Sequence, residues 1–249
     1  MPKVSLVTTI FNREACLPQA IESVLTQSFT DFELILWDDG STDRSLNIAH
    51  HYAAQDARIK VIGASHQGRG SAIAQACAQA QGEYIGIVDS DDLLAPNALA
   101  ITVPHLDQQP HLGLVYTDYT IIDEANQIKS PGQHQTPYDH DRLLVEFMIF
   151  HFRIFRHSIY QTVGGFDPEF DCSQDYDLCL KISEVADIQK INQPLYYYRH
   201  HRQSICGQRM LEQIQYSQRA IENALQRRGM ANDYELELQI FAHCHLIKK

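Results

Sequence analysis

The chain opens on an apolar, β-prone run at residues 4–10, long enough for one buried strand. Leu17, Ala20, Ile21, Val24 and Leu25 follow at helical offsets and predict a helix with one apolar face. A second strand, residues 32–37, stops abruptly at Asp38-Asp39-Gly40-Ser41-Thr42-Asp43, a run of turn and cap residues. A helix is expected over 44–54, a third strand over 59–62, an Ala/Gln-rich helix over 71–80 and a fourth strand over 84–88. The fourth strand stops at Asp89-Ser90-Asp91-Asp92. Alternation of strand and helix predicts an α/β fold, a mainly parallel sheet flanked by helices on both faces. Ligands of such sheets bind beyond the carboxyl ends of the strands, and both acidic runs fall there.

The second half is less regular. Residues 112–116 and 119–122 read as strands, and the polar stretch 123–141, with Pro131, Gly132 and Pro137, as a loop or loose hairpin. The apolar stretch 143–150 suggests a helix. Gly164-Gly165 breaks the chain, and Leu178, Ile182 and Val185 suggest a helix after Gln174-Asp175. Tyr196-Tyr197-Tyr198 reads as a strand, and the chain reads as helical from about 208 to its end. With no repeat and no linker-like stretch, the expected organisation is one domain over 1–205 with a C-terminal helical extension, 206–249, packed on it.

Composition narrows the class. Hydrophobic residues make up 44% of the 249, enough for a sizeable core. The net charge of −11 argues against general binding to nucleic acid, which needs a basic face. No apolar run approaches the roughly 20 residues of a membrane span, and the opening Met1-Pro2-Lys3-Val4-Ser5 does not read as a signal peptide. The six cysteines form no C-x-x-C pair and read as small core residues in a reducing compartment, so a cytoplasmic location is expected. Peripheral membrane association and homo-oligomerisation both stay compatible with this composition.

The candidate chemistry lies in the acidic runs. Asp89-Ser90-Asp91-Asp92 puts three carboxylates on four residues, an arrangement that is costly unless solvated or neutralised. A solvated, helix-capping turn would do for an isolated run. Its place at a strand's carboxyl end favours a hard divalent cation, Mg2+ or Mn2+, which prefers oxygen ligands. Asp38-Asp39-Gly40-Ser41-Thr42-Asp43 is in part a helix cap, and it also offers a carboxylate to a nucleobase edge. The histidine clusters His50-His51, His200-His201 and His243-x-His245 put neighbouring rings in different directions and read mainly as residues without a ligand role.

Four blocks in order resemble the family-two glycosyltransferases with the GT-A fold. They are Val4-Ser5-Leu6-Val7-Thr8-Thr9-Ile10-Phe11-Asn12; Trp37-Asp38-Asp39-Gly40-Ser41-Thr42-Asp43; Gly82-Glu83-Tyr84-Ile85 running into Asp89-Ser90-Asp91-Asp92; and Gly164-Gly165-Phe166-Asp167 followed by Gln174-Asp175-Tyr176-Asp177-Leu178. Together they cover about residues 4–204. The resemblance implies a nucleotide-sugar site in which Thr9, Phe11 and Asn12 touch the nucleoside and Asp39 binds uracil. It gives Asp89 and Ser90 a place beside the ribose, and Asp91, with Asp89, the metal. Asp175 would be the general base. A late Tyr198-Arg199-His200-His201 segment puts Arg199 or His201 near the diphosphate, His201 as a further metal ligand. Departures are Thr9 in place of proline, Gln174 in place of glutamate, and Ile73 and Ala74 where the pattern has Arg-Asn. Arg69 or His66 is an electrostatic substitute.

The implied reaction is inverting transfer of a sugar from a nucleotide-sugar, a UDP-sugar above all, to a hydroxyl of a saccharide or lipid-linked acceptor. Its setting would be the synthesis of cell-surface or extracellular polysaccharide or glycolipid. Two other readings stand beside it. A nucleotidyltransferase wants a glycine-rich basic loop near its first strand, whereas residues 8–14 hold no glycine and only Arg13. A non-catalytic nucleotide-sugar binding module gains a little from Ile73 and Ala74 and is opposed by the complete set Asp39, Asp89, Asp91 and Asp175.

Overall fold

A computed structural model describes residues 1–132, 137–200 and 209–239. Four parallel strands form its first half. β1 (Val4–Ile10) pairs on one side with β2 (Phe32–Asp38), which pairs with β3 (Ile59–Gly63), and on the other side with β4 (Tyr84–Ile87). Between them run α1 (Leu17–Leu25), α2 (Ser45–Ala53) and α3 (Arg69–Cys77). Side chains alternate along these strands as a two-residue period requires. Val4, Leu6, Leu34 and Leu36 enter one core, with Leu17, Ile21 and Val24 of α1. Val7, Ile35, Trp37 and Ile85 enter the other, with Ala72, Ile73 and Ala76 of α3. Apolar residues on both faces of a strand need helices on both faces of the sheet, and the core is built that way.

After β4 come the short β5 (Leu93–Leu94), α4 (Ala98–Gln108) and the long β6 (Leu112–Ile122). β7 (Ile128–Pro131) returns antiparallel on the far end of β6, so the polar stretch 123–141 holds a hairpin. β8 (Arg153–Arg156) then slots antiparallel between β4 and β6, α5 (His157–Thr162) and α6 (Gln174–Ser183) follow, and β9 (Asp187–Arg199) pairs parallel with β6. The nine strands run β3-β2-β1-β4-β8-β6-β9-β5 with β7 beside β6. The parallel half thus continues into a mixed half.

Two expected helices are shorter. In the stretch 143–150 only one 3-10 turn forms, Arg142–Leu144. Leu143, Met148 and Ile149 are buried all the same, so their apolar character reflects core contact and not helical period. The last helix, α7 (Met210–Arg227), ends ahead of Gly229, whose φ of +69° suits a residue without Cβ just past a helix. Residues 234–239 carry no helix, and 240–249 lie outside the described residues. Ala220, Ile221, Ala224 and Leu225 of α7 pack in the same core as Leu178 and Ile182 of α6. Among the described residues no helix is long and apolar enough to cross a membrane.

Candidate active site

Between β1 and β4 the strand order reverses, since the chain runs outward through β2 and β3 and returns to β4 on the opposite side of β1. Such a reversal opens a crevice beyond the carboxyl ends of the two strands. A cavity of about 120 Å³ lies there, open to solvent. Its wall takes Arg13 from the loop after β1, Arg69 from the start of α3, Asp89, Asp91 and Asp92 from the loop after β4, and His151 from just before β8. The segment 171–175, Tyr198 and Arg199 close it. Five carboxylates face three guanidinium groups on this wall.

The β1 and β2 ends are tied to each other. Asn12, at a φ of +54°, accepts on Oδ1 from the Thr42 amide at 2.8 Å, and its own amide donates to Ser41 Oγ. Asp39 is buried, and its two oxygens accept the Gln67 and Gly68 amides at 2.9 and 3.1 Å. Asp39 therefore ties down the two residues that lead into α3 by pairing their amides. His66 Nδ1 lies 2.8 Å from Asp39 Oδ2, and Phe11 stacks on the His66 ring at 4.2 Å between centroids. Thr9 sits within β1 opposite Trp37.

The loop after β4 is the most charged part of the wall. Arg69 Nη2 donates to Asp89 Oδ1 at 2.7 Å, and Arg13 Nε lies 3.4 Å from Asp91 Oδ2. Burial works most strongly, to raise the Asp89 carboxyl, but Arg69 by charge and hydrogen bond, with His151 and Arg153, together hold the group at about 2. Asp92 has no such partner. Its Oδ1 accepts the Arg199 amide at 2.7 Å, its Oδ2 is buried without a hydrogen bond, and burial beside Asp91 and Asp89 pushes its carboxyl well above the ordinary range. An orphaned buried carboxylate oxygen next to two more carboxylates is a donor set that fits a hard divalent cation.

His151 stands within 4.8 Å of the Asp89 and Asp92 oxygens and extends that set on paper. Burial first, then the Arg153 charge, lowers the ring to about 4, so it is neutral near pH 7. Arg153 Nη2 lies 3.2 Å from His151 Nδ1. A guanidinium only donates, so Nδ1 accepts and the ring proton sits on Nε2, the atom 3.9 Å from Asp89 Oδ2. In that tautomer the Nε2–H faces Asp89 from beyond hydrogen-bond distance and offers no lone pair to a metal, so the carboxylates carry the fit to a cation.

Opposite, Asp175 stands in the first turn of α6, where the helix dipole favours an ionised carboxylate. Its Oδ2 accepts from the buried Arg153 at 2.7 Å, and Arg153 also donates to Ile149 O. Burial would raise the Asp175 carboxyl; Arg153 and, less strongly, His151 and Arg69 leave it below the ordinary range. Asp177, two residues on, is buried. It is 1% exposed, pairs with Lys181 Nζ at 2.6 Å and lies 3.8 Å from Arg227 of α7.

The expected site residues are thus brought to one end of the sheet in the main. Asp89, Asp91, Asp175 and Arg199 line the cavity, and Ser90 is buried between the two aspartates. Thr9, Phe11, Asn12 and Asp39 stand at the neighbouring ends of β1 and β2. Arg199 has a job that its motif does not announce. Its guanidinium donates to the carbonyls of Asp91, Asp123 and Glu124 and to Gln19 Oε1, so it holds the acidic loop and is committed to protein acceptors. His201 lies outside the described residues. Sequence reasoning gave Asp92 no role of its own beyond the acidic run, and it missed His151 and Arg153. Only the acid run marks Asp92, and nothing marks an arginine inside the apolar strand β8.

The model of the family described as "Glycosyl transferase family 2" matches residues 5–164. The chain is 33% identical over 196 residues to a chondroitin synthase of Escherichia coli, an alignment that takes in 79% of this chain and 29% of that one. It is 34% identical over 197 residues to the putative glycosyltransferase EpsE of Bacillus subtilis, with 74% and 67% covered. The chain thus spans under a third of the length of the longer synthase. Among solved structures, S. aureus TarS 1–349 in complex with UDP-GlcNAc superposes with a TM-score of 0.67 at 21% identity, over 81% of this chain and 60% of that one. The mannosyltransferase PcManGT from Pyrobaculum calidifontis, in complex with GDP-Man and Mn2+, superposes with a TM-score of 0.70 at 16% identity, over 94% and 69%. These likenesses show the GT-A fold.

Proposed function

The chain belongs to glycosyl transferase family 2, and from that premise we propose that it is an inverting, metal-dependent transferase that moves a sugar from a UDP-sugar to an acceptor hydroxyl in the synthesis of a cell-surface or extracellular glycan. The observation that carries the reading is the meeting, at the β1/β4 crevice, of an under-neutralised acidic loop with a second carboxylate, Asp175, on a separate element.

In this reading Thr9, Phe11 and Asn12 border the nucleoside, and Asp39 offers uracil the acceptor capacity left beside its two amide bonds. Asp89, Asp91 and Asp92 are the residues that would hold Mn2+ or Mg2+, which when bound supplies Lewis-acid stabilisation of a departing diphosphate; His201 is a further ligand. Arg199 keeps their loop in place. Asp175, held ionised and aimed by Arg153, accepts the acceptor's hydroxyl proton as that oxygen attacks the anomeric carbon. General-base help of this kind contributes about 10²–10⁴ in rate. The C–O bond to the nucleotide breaks as the new glycosidic bond forms on the opposite face, which inverts the anomeric centre.

The deciding experiment measures UDP release from a panel of UDP-sugars with Mn2+ and with EDTA. Release that requires the cation and is lost in Asp175→Asn supports the reading. Tight UDP binding without turnover of any donor would move it to a binding module. A thermal-shift series with UDP, GDP, CDP and dTDP separates the bases, because a bound ligand raises the melting temperature by mass action.

A further inference from the structure

Arg13 and Arg69 hold the two aspartates of the D-x-D pair, one each. Arg69 Nη2 donates to Asp89 and Arg13 Nε approaches Asp91, and both side chains are partly exposed on the cavity wall. The placement of Arg69 is unusual. It is the first residue of α3, where a cation stands against the helix dipole. Four residues on, at the same helical face, Ile73 is buried in the core beneath it. Asp89 is the sole hydrogen-bond partner of Arg69 among the described residues, so most of its five N–H donors remain for another group. Guanidinium forks match phosphate oxygens in geometry as well as charge. A carboxylate oxygen that faces a guanidinium is also one that a cation must compete for.

We propose that Arg13 and Arg69 form a clamp for the donor's diphosphate, exchanging carboxylate for phosphate as a divalent cation takes Asp89 and Asp91. The inference rests on reading the cavity as a nucleotide-sugar site. It makes cation and diphosphate binding mutually reinforcing, each releasing the partner that the other needs, and linkage requires the effect to be equal in both directions. It also accounts for how a dianionic diphosphate enters a cavity walled by five carboxylates in a chain of net charge −11.

The test is calorimetry on wild type, Arg13→Gln, Arg69→Gln and the double variant, using inorganic pyrophosphate and UDP in EDTA and Mn2+ alone. Loss of a hydrogen bond to a charged group predicts that each single variant binds pyrophosphate at least about tenfold more weakly. The double variant is expected to bind Mn2+ alone more tightly than wild type, because its carboxylates no longer have competing arginines. These opposite signs distinguish a clamp from a structural ion pair, whose loss would weaken both ligands together. Asp89→Asn in EDTA supplies a second readout, since it frees Arg69 and should tighten pyrophosphate binding. Unchanged pyrophosphate affinity in both arginine variants overturns the clamp, as does weaker Mn2+ binding in the double variant. Should Arg69→Gln fold poorly, Arg69→Lys keeps the charge without the fork and must still weaken pyrophosphate. Failure of the donor reading looks different: UDP would then bind no better than pyrophosphate even with Mn2+, while the arginine effects on pyrophosphate persist.

Discussion

Asp175 and Asp177 stand two residues apart on α6, which separates them by roughly 200° around the helix. One therefore faces the cavity while the other turns toward Lys181 and α7. Asp175→Asn is expected to keep UDP and Mn2+ affinity and to lose about 10²-fold or more in turnover. Asp177→Asn should do the reverse, lowering stability by about 1–3 kcal/mol through a weakened buried pair while the folded fraction turns over normally. Kinetics and thermal melts on the two variants check both, and an inactive but fully stable Asp177→Asn would move the base by two residues. The pH dependence follows from Arg153. A carboxyl held below its ordinary value stays ionised throughout the neutral range and loses its basic form only on strong acidification. In Arg153→Gln, burial acts on Asp175 without its counter-charge. The carboxyl then rises, and the acid limb of the rate profile must move to higher pH. A limb that stays in place, or moves down, would show that Arg153 does not set the base.

At the scale of elements, the β1–β4 side of the cavity and the segment that leads into α6 touch through α3. The ideal Cβ of Gly70 would collide with Phe170 O and lie 2.9 Å from Pro168 O, backbone atoms in the stretch leading to Cys172 and Asp175. Gly68, at a φ of +92°, would bring a Cβ 2.6 Å from Asp171 Oδ1. Gly70→Ala is therefore expected to destabilise by about 1–3 kcal/mol, the usual cost of overpacking. It should also slow turnover more than it weakens UDP, because the displaced stretch leads into Asp175; a melt and a comparison of kcat with UDP affinity check this. A neutral Gly70→Ala would mean that the two sides are not in contact. Local pattern shows the first of these sides and not the second. Strands β1, β2 and β4 are legible because each is a short, doubly buried apolar run that ends at a turn, and the half-buried edge strand β3 because its apolar residues stand between helical stretches. Both acid clusters are legible because they sit on those ends. β8 is not, since Arg153 and Arg156 flank only two apolar residues, and its burial comes from the strands on either side. The stretch 143–150 misleads for the related reason that tertiary contact, not helical period, makes it apolar.

On the scale of the whole molecule, the question is whether the C-terminal helix belongs to the folding unit that carries the site. α7 buries Ala220, Ile221, Ala224 and Leu225 in the core shared by α3 and α6. Its Arg227 reaches both Asp177 and Glu184. The cavity depends on the same helix at one further point, because Ser173, just before Asp175, donates to Gln213 O and meets Ser217 Oγ at 3.0 Å. Full burial of residues the size of Ile221 and Leu225 is worth about 1.5–3 kcal/mol each. Against a total stability of about 5–15 kcal/mol for a domain, loss of the helix removes a large share and leaves Asp177 beside solvent. A chain that ends before Arg209 is therefore expected to melt at much lower temperature, or to lose cooperative unfolding altogether. Its Asp175 segment should become open to proteolysis ahead of the β1–β4 half. Circular dichroism melts and limited proteolysis of the shortened and full chains check this. If the shortened chain instead melted cooperatively at the full-length temperature, residues 206–249 would be an appendage, and the support for Ser173 and Asp175 would have to come from α6 alone.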